Sequence, residues 1–301
     1  MMSDYHVPVM LKECIEGLDI KPDGVYVDVT FGGGGHSREI LKHLNEKGRL
    51  LAFDQDVDAQ QNIPNDDRLT FIDQNFRFLK NNCRLYGAIP VDGVLADLGV
   101  SSHQFDQPER GFSIRFDAEL DMRMDQSGSL TARQVVNEYS EEDLHKIFGI
   151  YGEIQNAKSL AKAVVTARLN APIETVAELK EAIRKNIPKG KENKYLAQVF
   201  QALRIEVNQE LEALQEFLAQ AVDVLKPGGR LVVMSYHSLE DRLVKNFIAK
   251  GKFRGEVEKD FFGNEIKPLE SVVRKAITAS AEEVAQNNRA RSAKLRVAVK
   301  L

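Results

Sequence analysis

Strand-length runs of β-branched and aliphatic residues alternate with amphipathic helical segments through the first hundred residues. The run from Val25 to Thr30 is followed by four glycines and then by S-R-E-I-L-K-H-L at helical spacing. Three more runs fit strands: R-L-L-A-F-D-Q-D, L-T-F-I-D-Q-N-F ending at Phe76, and V-D-G-V-L-A-D-L. Strands that alternate with helices predict an α/β domain built on a parallel sheet.

The pattern becomes helical beyond Val100, and no convincing strand appears until K-P-G-G-R-L-V-V-M-S-Y restores the strand signal. Apolar positions from Leu196 to Leu218 keep a spacing of three and four, which predicts one long helix. We therefore expect a discontinuous α/β domain, residues 1–104 and 217–301, interrupted by a helical insert at 105–216.

Further elements are predicted at both ends of the chain. V-P-V-M-L-K-E-C-I-E-G-L predicts a helix with Pro8 in its first turn, and a later helix is expected to start at Ser238 with Asp241 at its third position. The tail offers L-E-S-V-V-R-K-A-I and A-K-L-R-V-A-V-K-L as two strands that pair antiparallel at the sheet edge, with no helix between them. The sheet would then have seven strands, mostly parallel.

Composition limits the function classes. The chain has 301 residues, 43% of them hydrophobic, with a formal charge of -4, so a nucleic-acid partner must be argued from local patches. Two cysteines, Cys14 and Cys83, form no metal-binding spacing or disulfide framework, which favours a reduced, cytoplasmic setting. M-M-S-D-Y-H-V-P is polar and no apolar run approaches the roughly twenty residues of a membrane helix, so we expect neither signal peptide nor membrane span.

The glycine turn is the first candidate site. Four glycines between a strand and a helix let a ligand approach backbone N–H groups at the positive end of the helix dipole, although a flexible surface loop is the alternative. Asp54, Phe76 and Asp97 fall at or just beyond the ends of successive predicted strands, where open α/β sheets bind ligands. Any one of these acids alone could be an ordinary cap, but their joint placement favours a nucleotide-type pocket.

Two chemistries suit this arrangement. A dinucleotide enzyme requires G-x-G-x-x-G, and Gly32 and Gly34 fit its first two positions whereas Ser37 replaces the third. An S-adenosylmethionine methyltransferase requires a glycine turn, an acid after the second strand, an apolar shelf and a polar end to the fourth strand, all of which occur. Its sulfonium already supplies a leaving group, so the reaction requires no metal.

Seven longer motifs occur in order: T-F-G-G-G-G-H-S-R, D-L-G-V-S-S, E-R-G-F-S, L-D-M-R-M-D, F-Q-A-L-R-I-E-V-N-Q-E-L, S-Y-H-S-L-E-D-R and N-N-R-A-R-S-A-K-L-R. Together they resemble the RsmH (MraW) family of bacterial methyltransferases over nearly the whole chain. The resemblance implies a Rossmann-like class I fold and methylation of N4 of a cytidine in the decoding region of 16S rRNA. The chain departs from the family at Asn287-Asn288, where Asn-Pro is common, and in N-K-Y-L-A-Q-V, where P-A-T-R-x is commoner.

The resemblance also implies cofactor contacts, matched motif by motif, at Gly34, Gly35, His36, Asp54, Phe76, Asp97 and Gln104. The glycine backbone would receive the methionine carboxylate, Asp54 the ribose hydroxyls and Asp97 the ammonium group, with Phe76 near the adenine. His36 has an alternative role, which is to donate a hydrogen bond to a backbone carbonyl.

The methyl acceptor should lie beside D-L-G-V-S-S, so Asp97, Ser101 and Ser102 are the catalytic candidates. The usual Pro-Pro-aromatic of amino methyltransferases is absent, and no general base is assigned. His237 and Ser238 could also face this cleft, although a core-edge histidine and a plain N-cap are the alternatives.

RNA contact would come from two basic stretches, Arg184 to Lys194 and the tail cations Arg289, Arg291, Lys294 and Arg296. The partner would be 16S rRNA or the small ribosomal subunit, with monomer and homodimer both open. A rival hypothesis is a non-catalytic module that uses the cofactor fold only to clamp RNA. Its difficulty is that a scaffold has no need of a complete cofactor pocket.

Overall fold

A computed structural model of the protein describes residues 8–301. The strands within these residues are β1 Val25–Asp28, β2 Arg49–Asp54, β3 Leu69–Asp73, β4 Val91–Asp97, β5 Leu225–Ser235, β6 Glu258–Lys259, β7 Glu265–Ile266, β8 Leu269–Ser271 and β9 Lys294–Lys300. The α-helices in the same range are α1 Leu11–Leu18, α2 Gly35–His43, α3 Leu79–Leu85, α4 Ser102–Asp106, α5 Ala132–Glu138, α6 Glu141–Ile150, α7 Ala157–Arg168, α8 Val176–Ile183, α9 Glu192–Asn208, α10 Glu210–Val224, α11 Ser238–Lys250 and α12 Ala281–Gln286. Within the described residues, no helix is long and apolar enough to span a membrane.

Seven strands form one sheet in the order β3-β2-β1-β4-β5-β9-β8. The first five pair in parallel, whereas β9 runs antiparallel to both β5 and β8. The predicted seven-stranded, mostly parallel sheet is therefore confirmed, including the antiparallel tail strands at the edge. The expectation that no helix lies between the tail strands is wrong, because α12 forms there, capped by the side chain of Ser280.

The strands are buried on both faces, as their near-continuous apolar runs require. Alternate residues point to opposite sides: Val27 and Val94 belong to a core shared with α3, α10 and α11, whereas Tyr26 and Leu95 belong to a core shared with α1 and α2. Cys14 and Cys83 are free and buried, one on each side. This three-layer arrangement brings the carboxyl ends of β1, β2 and β4 to one edge of the sheet.

The chain divides into two compact units, with the second spanning Val100–Glu210 and the first lying on both sides of it in sequence. The observed boundaries fall five and six residues before the expected ones at 105 and 217. The second unit contains helices α4 to α9 and no named strand, and all of its residues are described. Its apolar core is its own.

Several boundaries differ from the sequence predictions. The long helix expected through Leu218 is broken at Gln209, whose backbone is left-handed at φ 49°, so α9 ends where α10 is about to begin. The helix expected from Pro8 starts only after Met10, which is also left-handed. Strand β3 ends before Phe76, which lies in a 3₁₀ turn. The apolar spacing continues across these breaks, so hydrophobic periodicity alone could not have revealed where the backbone of a single residue ends a helix. The expectation for the polar start of the chain falls largely on residues 1–7, which lie outside the described residues.

Three of the motifs form a hydrogen-bonded junction inside the second unit. Arg123 makes a two-pronged contact with Asp121, at 2.8 and 2.7 Å, and the buried Arg110 guanidinium donates to the backbone carbonyl of Arg123 at 2.9 Å. Asn208, at the end of α9, accepts from the Met124 N–H at 2.7 Å. E-R-G-F-S, L-D-M-R-M-D and the end of F-Q-A-L-R-I-E-V-N are thus held together by polar contacts.

We expect Asn208→Ala to lower the free energy of unfolding of the second unit by about 1–3 kcal/mol, because the Met124 N–H and the Met122 carbonyl both lose their side-chain partner. The measurement is urea denaturation in which unfolding of the second unit is followed by amide hydrogen exchange. The matched control is Asn193→Ala, an exposed position on the same helix, for which we expect a change within about 0.5 kcal/mol. Equal effects at both positions would show that the junction is not stabilising.

Candidate cofactor site

The glycine turn between β1 and α2 is held in one conformation by the side chains around it. Gly32 and Gly34 adopt left-handed backbone angles, with φ of 50° and 74°. The Gly32 carbonyl accepts from Asn62 at 3.1 Å, and the Gly33 carbonyl accepts from Arg38 at 2.6 Å. These contacts argue against the flexible-loop alternative and direct the turn's carbonyls to partners within the protein.

Helix α2 begins at this turn with no side-chain cap. Its N-cap, Gly34, has no side chain that could fold back over the first turn, and the N–H of Gly34 is already bonded to the Phe31 carbonyl at 2.7 Å. The N–H groups that follow carry the positive end of the helix dipole. A ligand carboxylate would find a prearranged anion site here.

Asp54 ends β2 and is tied to the same turn. One carboxylate oxygen accepts from the Gly32 N–H at 2.7 Å, and the other accepts from the Asp56 N–H at 2.9 Å. Each carboxylate oxygen keeps a second acceptor position, so hydroxyl donors can still be accommodated. Burial raises the pKa of Asp54 to about 6, and the two backbone hydrogen bonds oppose that rise.

Asp97 ends β4, and its carboxylate is held by Tyr236, whose hydroxyl donates to Oδ1 at 2.7 Å. The other oxygen lies 3.9 Å from His36 Nδ1. The Asp97 N–H donates to the Thr30 hydroxyl at 2.7 Å, which joins the ends of β1 and β4. Burial raises the pKa of Asp97 to about 6, while a positive charge on His36 and the Tyr236 hydrogen bond act in the opposite direction.

His36 also contacts a backbone carbonyl, which was its alternative role. Its Nε2 lies 3.1 Å from the Val9 carbonyl oxygen, and the side chain is 6% exposed. Since a carbonyl can only accept, this contact places a proton on Nε2. The structure therefore accounts for His36 as a link between α2 and the preceding segment, and also places it beside Asp97.

Phe76 and Asp28 complete the edge of the sheet. The half-buried Phe76 packs edge-on against Phe217, with ring centroids 5.5 Å apart. Asp28, at the end of β1, is 1% exposed and accepts from the Ser37 hydroxyl at 2.7 Å. Sequence reasoning missed Asp28, Thr30 and Tyr236. The signal for Asp28 was present, since it is the acid that closes the first strand of the glycine motif.

Ser101, Ser102 and Gln104 belong to the second unit, which begins at Val100. Ser101 is the N-cap of α4: its hydroxyl accepts from the Gln104 N–H at 3.1 Å, and the Gln104 side chain accepts from the Ser101 N–H at 3.0 Å. Gln104 is buried, and Ser102 is the first residue of the helix. The predicted acceptor-holding segment therefore has a structural role as a capping box.

The start of α11 differs from its prediction by one residue. His237, not Ser238, is the N-cap, and Glu240 takes the third helical position that was expected for Asp241. Asp241 instead accepts from Arg296 at 2.7 Å and from Lys294 at 3.2 Å. Half of the predicted basic tail is thus neutralised within the first unit.

These features fit S-adenosylmethionine, whose methionine end carries a carboxylate and an ammonium group and whose ribose carries two hydroxyls. The uncapped start of α2 suits the carboxylate. Asp54 and Asp97 offer acceptors to hydroxyl and ammonium donors at neighbouring strand ends. A parallel sheet whose first turn and strand ends carry these groups defines a Rossmann-like methyltransferase.

Sequence comparison gives the particular family. A model of the MraW methylase family matches residues 3–301, and the chain belongs to that family. It is 59% identical to the ribosomal RNA small subunit methyltransferase H of Flavobacterium johnsoniae over 99% of this chain and 98% of that one. It is 61% identical to the protein of that name from Cytophaga hutchinsonii over 98% of this chain and 99% of that one. The resemblance found in the motifs is confirmed, and the cofactor is S-adenosylmethionine, as the sequence predicts.

Among solved structures the likeness is weaker. An rRNA methylase from Streptococcus thermophilus matches with a TM-score of 0.40 and 12% identity, covering 100% of this chain and 99% of that one. The family assignment therefore rests on sequence.

We expect cofactor affinity to fall as the pH drops through 6. The raised pKa values of Asp54 and Asp97, each about 6, mean that both are largely ionised at pH 7.5 and largely neutral at pH 5. A neutral carboxyl no longer attracts an ammonium group and is a poorer acceptor for hydroxyls. Calorimetry with S-adenosylhomocysteine should show at least about a tenfold loss between pH 7.5 and 5.5. An affinity that does not change over this range would contradict the assignment of both acids.

The ribose assignment of Asp54 needs a test on the ligand, because Asp54→Ala also removes two acceptors from the glycine turn. We expect the wild-type protein to bind the 2′,3′-dideoxy analogue of S-adenosylhomocysteine at least about tenfold more weakly than the parent compound, since hydrogen bonds to a charged group contribute about 1.5–3 kcal/mol. Asp54→Ala should bind the two compounds with similar affinity. A variant that still discriminates between them would rule out Asp54 as the ribose acceptor.

Proposed function

We propose that this protein transfers the methyl group of S-adenosylmethionine to the exocyclic N4 amine of a cytidine in the decoding region of 16S rRNA, and acts in the cytoplasm. The observation that carries the proposal is the pair of partly buried acids, Asp54 and Asp97, beside an uncapped helix start, in a chain that matches the MraW methylase family over 3–301. The relatives named for small-subunit ribosomal RNA supply the substrate class.

When bound, the cofactor supplies an electrophilic methyl group on a sulfonium. The chain's own contribution is positioning. Gly34 and Gly35 would bind the methionine carboxylate through the backbone, Asp97 would orient the ammonium group, and Asp54 would orient the ribose. Phe76, whose ring already packs on Phe217, would lie near the adenine.

The acceptor amine is a weak nucleophile, because its lone pair is delocalised into the cytosine ring. Holding its hydrogens with acceptors would turn the lone pair toward the methyl group. Ser101, Ser102, the carbonyls beside them and Asp97 are the proposed holders. The Ser101 hydroxyl oxygen already accepts from the Gln104 N–H, and the Ser101 carbonyl already accepts from the Phe105 N–H at 3.1 Å, so each would have to accept a second hydrogen bond. The cofactor contact proposed for Gln104 would use an amide whose oxygen is already bonded to the Ser101 N–H.

The RNA surface is assigned to the stretch Arg184 to Lys194 of the second unit, where all five basic side chains are exposed. A tight turn, in which the Lys191 N–H donates to the Pro188 carbonyl at 3.1 Å, carries Lys189 and Lys191. In the tail, Lys294 and Arg296 already bind Asp241, so Arg291 is the tail cation better placed to meet phosphates. The second unit is accordingly proposed as the RNA-recognition unit.

The reaction is tested by its product. Recombinant protein, S-adenosylmethionine and small ribosomal subunits from cells lacking this protein should yield N4-methylated cytidine, identified by mass spectrometry of the rRNA nucleosides. Treatment of the protein with a transition-metal chelator, with the subunits kept in magnesium, should leave the rate unchanged, since the sulfonium leaving group requires no Lewis acid. A methyl group on cytosine C5 or ribose O2′, or rescue of a chelated sample by a divalent ion, would contradict the proposal. Cofactor binding without any methylated product would favour the RNA-clamp hypothesis.

We expect charge reversal at Lys189, Lys191 and Lys194 to weaken RNA binding. The slope of log binding constant against log salt concentration should become shallower by up to about 0.7–0.9 for each phosphate contact that is lost. Cofactor affinity should stay the same, because these residues belong to the second unit. The matched control reverses three exposed lysines on α6 and α7, Lys146, Lys158 and Lys162. Equal losses of RNA affinity in both triple variants would mean that RNA binding depends on the net charge of the protein and not on this stretch.

A further inference from the structure

Tyr236 is a partly buried neighbour of the candidate site, and the motif S-Y-H-S-L-E-D-R that contains it gave it no role. It follows β5 directly, and its hydroxyl donates to Asp97 Oδ1 at 2.7 Å. Its backbone N–H donates to Glu240 Oε2 at 2.9 Å, which fixes the residue to the first turn of α11. Its ring packs against the apolar core shared by α1 and α2. Tyr236 is therefore held in place through its backbone and its ring, and its hydroxyl is directed at Oδ1 of Asp97.

The direction of the hydrogen bond is fixed by the chemistry of both partners. Burial and the neighbouring Asp97 raise the pKa of the Tyr236 phenol well above its usual value, so the phenol keeps its proton at any working pH. An ionised Asp97 can only accept. Tyr236 therefore stabilises the charged form of Asp97 and occupies Oδ1, while Oδ2 remains directed toward His36.

His36, the other neighbour of the Asp97 carboxylate, makes no hydrogen bond to it. Its Nε2 is committed to the Val9 carbonyl, so a positive charge on the ring would lower the pKa of Asp97 through space and without a directed hydrogen bond. The His36 Nδ1 lies 3.9 Å from Asp97 Oδ2, which is too long for a hydrogen bond.

The remaining groups around Asp97 oppose its ionisation. Asp28 on β1 and Glu240 on α11 are both buried acids whose charges raise the pKa of Asp97. The buried thiol of Cys14, on α1, brings no positive charge. Within residues 8–301, the titratable groups that act on Asp97 are therefore Cys14, Asp28, His36, Tyr236 and Glu240. Of these, Tyr236 supplies a directed neutral donor.

We propose that Tyr236 is a positioning residue for Asp97: it binds Oδ1, keeps the carboxylate ionised, and leaves Oδ2 to receive the ammonium group of the cofactor. This inference rests on the proposed function, because it takes Asp97 to be the ammonium ligand. Tyr236 itself is assigned no contact with the cofactor or the reacting atoms.

The test is the pH dependence of Tyr236→Phe, which keeps the ring and removes only the hydroxyl. S-adenosylhomocysteine affinity is measured by calorimetry from pH 6 to 8.5 for both proteins, and their ratio at each pH cancels the ligand's own titration. Without the donor, Asp97 should need a higher pH to ionise, so the variant should bind roughly tenfold more weakly at pH 6 and within about twofold of wild type at pH 8.5. A purely structural role predicts a ratio that does not change with pH.

Two controls separate positioning from general damage. Tyr26→Phe removes another buried phenol of the first unit, one whose oxygen accepts from the Lys21 N–H at 2.7 Å, and its affinity ratio should be independent of pH. In an Asp97→Asn background, Tyr236→Phe should lower S-adenosylhomocysteine affinity by less than about twofold at any pH, because residue 97 no longer carries a charge for the phenol to stabilise.

A readout without ligand keeps the test valid even if Tyr236→Phe folds poorly. In the wild-type protein, the ¹³C shifts of the Asp97 carboxyl and of Tyr236 Cζ should titrate together near pH 6, because protonation of Asp97 weakens their shared hydrogen bond. The inference would be overturned if the two carbon shifts titrated independently, or if the affinity ratio of Tyr236→Phe to wild type did not change with pH. It would also be overturned if Tyr236→Phe lowered the affinity as much in the Asp97→Asn background as in the wild-type protein. Failure of the wild-type protein to bind S-adenosylhomocysteine would instead refute the proposed function.

Discussion

Removing carboxylates from water is the constraint on which the cofactor edge of this protein depends. Three adjacent strands, β1, β4 and β2, end in Asp28, Asp97 and Asp54, and a buried carboxylate costs several kcal/mol unless it is hydrogen-bonded. Each acid is satisfied differently: Asp28 by the hydroxyls of Ser37 and Thr30, Asp54 by two backbone N–H groups, and Asp97 by a phenol. Asp28 has become structural, whereas the other two keep acceptor capacity for a ligand.

These solutions also organise the chain around them. The Thr30 N–H donates to Asp28, and the Thr30 hydroxyl accepts from the Asp97 N–H, so Thr30 links the ends of β1 and β4. The Asp54 carboxylate fixes the first glycine of the turn, which in turn sets the start of α2. The candidate cofactor site is therefore built by groups that satisfy one another, so its polar side chains are held in place before any ligand binds.

The sequence predicted the sheet, its antiparallel tail and the acids at the ends of β2 and β4, because period-two alternation and turn glycines are local signals. It did not predict the break at Gln209 or the late start of α1, since both depend on a single left-handed residue. The bond between Tyr236 and Asp97 joins residues 139 positions apart, which no local pattern encodes. The same reason explains why E-R-G-F-S and L-D-M-R-M-D, notable only as family motifs, prove to be hydrogen-bonded scaffolding of the second unit.

The segment ahead of α1 restricts which residue can occupy the first position of α2. A β-carbon built on Gly35 would lie 2.1 Å from Cγ of Pro8, so the proline ring fills the volume that any other residue at 35 would need. Val9 in turn accepts from His36, and the Met10 N–H donates to Glu283 at 2.6 Å, which holds this segment in place. A residue larger than glycine at position 35 would therefore require Pro8 to move or to be replaced by a smaller residue. The proline ring thus restricts the start of α2 to glycine for as long as it keeps its present position.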